Sequence, residues 1–168
     1  MKNSTMNTRE TVFSAPTRRS EAHHKQLSVR TWLRLYACSN LIEQQIQQKL
    51  RAQYGTTLAR FDFLAQLVRE PLGMKMNVLS KKLMVSGGNI TGLTDQLVKE
   101  ELVVRQDDPL DRRSYLLICT EKGHQEFSEM AKSHERWVSE LLGELDVTEI
   151  EQLYSCLDHL KNRLSTHS

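Results

Sequence analysis

Apolar residues recur at helical spacing over most of this 168-residue chain, and the breaks between runs are marked by glycine, proline and capping side chains. Leu35, Ile42, Ile46 and Leu50 lie four or seven apart around the polar run Glu43 to Gln48, which predicts a long first helix over 27–53 that stops at Gly55. Phe61, Leu64, Leu67 and Val68 predict a second helix over 58–69. It ends at Glu70-Pro71, because the residue before a proline is pushed out of the helical region, and Leu72-Gly73 makes a turn. Asn77 is placed to cap a short helix holding Val78, Leu79 and Leu83, and Ser86 to cap the next. In that next helix Ile90, Leu93 and Leu97 share a face, while Gly88, Gly92, Asp95 and Lys99 point the other way.

Residues 102–106 and 114–119 are β-rich runs joined by 107–113, whose Pro109 and aspartates favour a turn, so a hairpin with a charged tip is expected. Thr120 caps a further helix with Phe127, Met130, His134, Trp137 and Leu141 in 3, 4, 3, 4 spacing. Thr148 and Glu151 read as a capping box for the last helix, whose Ile150, Leu153, Leu157, Leu160 and Leu164 form a seam that packs lengthwise against other helices. Residues 1–26 have no such period and are expected to form a flexible arm. The organisation predicted is therefore an arm over 1–26, a helical association region from 27–57 and 120–168, and a lobe over 58–119.

Composition narrows the class. The formal charge is only +2, but residues 1–30 carry six Lys/Arg against two acids, while residues 114–168 carry five against ten. Any contact with a polyanion must therefore rest on a local patch. The apolar runs are too short to span a bilayer and the first thirty residues hold no secretion-type stretch, so no membrane partner and a cytoplasmic location are expected. Cys38, Cys119 and Cys156 are odd in number and widely spaced, which points to reduced thiols. The six histidines form no His-Glu-x-x-His pattern, and no nucleophile elbow or paired-carboxylate motif occurs. No metal, no cofactor and no catalytic residue is expected, so the chain reads as a non-enzyme.

Helix, tight corner, helix with a small polar outer face, then a hairpin with a cationic tip is the order of a winged helix-turn-helix. The fold class expected is mainly α with a small β-hairpin wing, dimerising through its N- and C-terminal helices. Small residues at Ser86, Gly87, Gly88, Thr91 and Gly92 let a helix enter a major groove about 12 Å wide, where Asn89 and Gln96 can bond base edges or phosphates. At the hairpin, Asp111 can orient Arg112 or Arg113 toward the adjacent minor groove, where negative potential is concentrated.

Asp108-Pro-Leu-Asp-Arg-Arg-Ser114 followed by Thr120-Glu-Lys-Gly123, together with Thr91-Gly-Leu-Thr-Asp95-Gln-Leu97, resembles the wing and recognition helix of the multiple antibiotic resistance regulator (MarR) family. The resemblance implies a homodimer on a pseudo-palindromic double-stranded DNA operator, commonly acting as a repressor. It also implies release by a small phenolic or aromatic inducer bound between dimer region and lobe. Gln96 stands where many members have arginine, and Cys119 where they usually have leucine. Val85-Ser-Gly-Gly-Asn-Ile-Thr-Gly-Leu93 resembles the subset tied to hydroxycinnamate and aromatic-acid catabolism, where the inducer can be an acyl-coenzyme A thioester. For such an anion His23, His24, Arg30, Trp32, Tyr36 and Arg60 are the candidate contacts, as cationic and aromatic groups suit it. Two alternatives stand beside this reading: a helical dimeric interaction module that has lost operator binding, and a redox-sensing regulator acting through Cys38.

Overall fold

The structure, a computed structural model, describes residues 18–83 and 87–166. The order is α1 (Arg18–Tyr54), α2 (Leu58–Val68), β1 (Met74–Lys75), α3 (Met76–Leu83), α4 (Gly87–Lys99), β2 (Val103–Asp108), β3 (Asp111–Cys119), α5 (Glu121–Leu141) and α6 (Val147–Ser165). Two compact units are distinguished, one ending at Asn40 and one starting at Leu41. The described part of the first is the early turns of α1, with Leu27, Trp32, Leu33 and Tyr36 exposed and Trp32 lying 5.8 Å from Tyr36 between ring centroids.

In the second unit, the C-terminal turns of α1 supply Ile46 and Leu50 to a core shared with Phe63, Leu64 and Leu67 of α2, Leu79 of α3, Ile90 and Leu97 of α4, and Leu117 of β3. Met130 and Trp137 of α5 complete it. The helical periods therefore do in space what they promise in sequence, since side chains three and four apart fall on one face. The sheet order is β1-β3-β2, all antiparallel, with Met74 opposite Leu117 and Val103 opposite Cys119. The hairpin strands reach further toward the tip than the sequence pattern predicts, leaving only Pro109 and Leu110 between them, with an irregularity of register at Asp107 and Asp108.

Three local expectations are corrected. Residues 18–26, expected in the arm, are already helical in α1, because Arg, Glu, Ala, Lys and Gln favour helix without any apolar period, and residues 21–26 are all exposed. The capping box of α6 is Asp146 with Glu149, not Thr148 with Glu151. The Asp146 carboxylate accepts from the Glu149 amide at 2.9 Å and the Glu149 carboxylate from the Asp146 amide at 2.9 Å. Asn77 lies inside the first turn of α3, which starts at Met76, so it is not the cap. Strand β1 was not anticipated, since two residues carry no readable alternation. The expected cap Ser86 lies outside the described residues, as do residues 1–17 of the expected arm.

Two glycines are held by sterics. Gly73, in the turn before β1, has φ +83°, and an added Cβ would lie 2.6 Å from Ile118 Cγ1. At Gly123 a Cβ would lie 2.2 Å from the Leu102 carbonyl oxygen, and the Gly123 amide donates to Thr120 Oγ1 at 3.0 Å. The Thr-x-x-Gly segment is thus a cap that docks the start of α5 against the end of the α4–β2 connection, where Thr120 Oγ1 also donates to the Glu101 carbonyl at 2.7 Å. Glu101 itself has φ 62°, a left-handed conformation that disfavours a β-carbon. Glu101→Gly is expected to raise unfolding free energy by about 0.5–1 kcal/mol, the relief of strain outweighing glycine's extra chain entropy. A urea midpoint that stays put or falls would contradict this.

Candidate DNA interface

Helix α4 separates its faces sharply. Ile90, Thr94 and Leu97 are buried, with Thr94 Oγ1 donating back to the Ile90 carbonyl at 2.7 Å, whereas Gly88, Asn89, Thr91, Gly92, Asp95 and Gln96 are exposed. Open space surrounds Gly88 and Gly92, so the outer face stays slim. Gly87 opens the helix and Ser86 lies outside the described residues. The expected reading face is therefore presented outward in the protomer, with Thr91 leaning toward α3, its hydroxyl 3.6 Å from Met76 Sδ.

Asp95 sits on this face as an acid that would repel phosphates, but Arg105 of β2 forms an ion pair with it. The Arg105 guanidinium also lies 5.2 Å from the Tyr115 ring centroid. The pair neutralises Asp95 and ties α4 to the wing strand. Asp111, Arg112 and Arg113 all fall at the start of β3, so their backbones occupy the wing as expected, while the side chains of Arg112 and Arg113 lie outside what the structure describes. The Asp111 carboxylate is 3.6 Å from Lys75 Nζ.

The expected ligand contacts are divided between the two units. His23, His24, Arg30, Trp32 and Tyr36 are exposed on α1 in the first unit. Arg60 belongs to the second unit and grips Glu100 with both ends of its guanidinium, one contact being 2.8 Å; this hydrogen bond holds the Glu100 carboxyl below its ordinary range. Within the second unit a cleft of about 570 Å³ opens between the α1 turns near Glu43 and Gln47, the α2 residues Leu58, Ala59 and Asp62, Leu83 of α3, and α4 at Gly88, Asn89, Gly92, Leu93 and Gln96. It carries two acids and no Lys or Arg among its described lining residues. Burial pushes the Asp62 carboxyl above its ordinary range, with Glu43 adding to this and His134 opposing it. Gln47 accepts from the Leu58 amide at 2.8 Å through Oε1, while its buried Nε2 has no partner among the described residues.

Sequence reasoning missed Lys75, Arg105 and Asp108, whose ion pairs tie the wing to β1 and α4. Only Asp108 left a local trace: an aspartate that accepts from the amide two residues on is a recognised turn former, and here it does so from Leu110 at 2.9 Å. Among the described residues no cluster of His, Cys, Asp and Glu is placed to hold a metal, and no helix is long and apolar enough to cross a membrane.

Known proteins share this arrangement. Residues 54–114, from the end of α1 to the wing, match the model of the MarR family. The chain is 29% identical over 143 residues to a transcriptional activatory protein, BadR, of Rhodopseudomonas palustris, covering 81% of each chain. A crystal structure of a MarR family transcriptional regulator from Silicibacter pomeroyi superposes with a TM-score of 0.72 at 28% identity, covering 84% of this chain and 97% of that one. One from Rhodococcus sp. RHA1 superposes with a TM-score of 0.70 at 20% identity over 80% and 94%, a likeness of fold.

Proposed function

We propose that the chain is a DNA-binding transcriptional regulator of the MarR family and not an enzyme, and that it acts as a homodimeric, ligand-responsive repressor on a pseudo-palindromic operator; the match over residues 54–114 and the likeness to BadR support this reading. The observation that carries this reading is the exposed, slim face of α4 beside a wing whose β3 begins Asp-Arg-Arg. Two copies would place their α4 helices in successive major grooves about 34 Å apart. The uncovered apolar seam of α6 supports pairing, since none of its residues is buried in the protomer.

The inducer site in this reading is the 570 Å³ cleft, of a size that suits a drug-sized molecule. It shares Asn89 and Gln96 with the face that would read DNA, so occupancy and operator contact bear on the same helix. Its acidic lining suits an uncharged aromatic head group, such as the acyl end of a coenzyme A thioester, better than a free carboxylate. For a redox-sensing regulator Cys119 is a poor candidate, since burial pushes its thiol up to about 11 and it stays protonated at neutral pH, which leaves the exposed Cys38 to that alternative.

A binding titration against the duplex upstream of the protein's own reading frame tests the proposal. Affinity at least about a thousandfold above random duplex is expected, falling steeply with salt, and Arg112→Ala or Arg113→Ala should cost about 1–3 kcal/mol. Equal affinity for both duplexes would favour the interaction module, and added aromatic thioesters that leave affinity unchanged would remove the inducer reading.

A further inference from the structure

The tip of the wing is built around a buried carboxylate. Asp108 is 5% exposed, accepts from the Leu110 amide at 2.9 Å and from Ser114 Oγ at 3.2 Å, and meets Lys75 Nζ at 2.8 Å. Those first two donors come from the hairpin itself, whereas Lys75 arrives from β1 on the far side of β3. It is the residue immediately before α3, the first helix of the helix-turn-helix. The same ammonium lies 3.6 Å from Asp111 Oδ2, at the first residue of β3 and next to Arg112. One cation thus joins both strands at the place where their register shifts, between Asp107 and Asp108.

We infer that Lys75 is a positioning residue for operator binding: it locks the tip of the wing to the base of the helix-turn-helix and so sets where the wing arginines stand. The inference rests on the DNA-binding reading above. Lys75 need not touch DNA for this. A carboxylate this enclosed is costly without its counter-charge, so removing the ammonium drives Asp108 toward water and the turn at Leu110 with it. The Asp108 carboxyl is held below its ordinary range chiefly by Lys75 and next by the Leu110 amide, which agrees with a contact that favours the ionised form.

The test uses the full chain and its upstream duplex. Lys75→Met should bind about tenfold more weakly, the size of one lost specific contact, while Lys75→Arg, which keeps a cation in reach, should stay near native. Lys75→Met with Asp108→Asn, which removes the unpaired charge, should recover most of the loss. Adding Arg113→Ala to Lys75→Met should cost much less than Arg113→Ala costs alone, because the arginine is already misplaced. Full additivity, with no recovery in the Asp108→Asn pair, would make Lys75 an ordinary phosphate contact and overturn the inference. Hydrogen exchange at the Leu110 amide gives a readout free of DNA: it should quicken in Lys75→Met and slow again in the pair. Unchanged exchange overturns the lock. Native protein that ignores its duplex while the exchange result holds would strike the operator reading, leaving the lock without its role in DNA binding.

Discussion

Replacing Leu157 and Leu160 by glutamate is expected to give a monomer that has lost operator binding by a hundredfold or more. Both leucines lie on the apolar seam of α6 and remain 38% and 45% exposed in the protomer. No residue of α6 is buried, yet most helix stability in a protein comes from packing an apolar face, so the seam calls for a partner surface. Each leucine has roughly 1 kcal/mol to gain from complete burial, and a glutamate placed there adds a desolvation cost of several kcal/mol. Losing the second half-site removes the effective-concentration gain of a bivalent binder, about 10²–10⁴ in affinity. Light scattering and the operator titration should move together, and helical ellipticity should drop as α6 frays. A variant that keeps both dimer mass and affinity would show that α6 is not the interface.

The second large effect concerns stability. Phe63 of α2 is 0% exposed, in the core that also holds Leu50, Leu64 and Leu97. Phe63→Ala is expected to lower unfolding free energy by about 3–5 kcal/mol, from lost transfer energy and the cavity left behind. That is a large part of the 5–15 kcal/mol typical of a folded domain. Denaturant unfolding at fixed protein concentration measures it, and a loss under about 1 kcal/mol would mean that the site collapses around the alanine. Binding should weaken only as far as the folded fraction falls, since Phe63 is not among the exposed residues of α4 or the wing.

What the sequence determined by itself lies within one or two turns of chain. The inward faces of α2 and α4, the Thr120 cap, the turn at Gly73 and the hairpin all follow from spacing and local sterics, because side chains three or four apart and donors two or three apart meet whatever the rest of the molecule does. The motif of residues 108–114 was legible for the same reason. Where two local solutions competed, spacing could not choose: Asp146-x-x-Glu149 and Thr148-x-x-Glu151 both fit a capping box, and the helix start selected the first. Only the tertiary structure decided the rest. The pairing of Lys75 with Asp108, of Arg105 with Asp95 and of Arg60 with Glu100 joins residues 10 to 40 apart, and the cleft draws its walls from four helices. Charges on surface residues carry no address in sequence. Their partners are chosen by the path the backbone takes once the apolar faces have closed on one another.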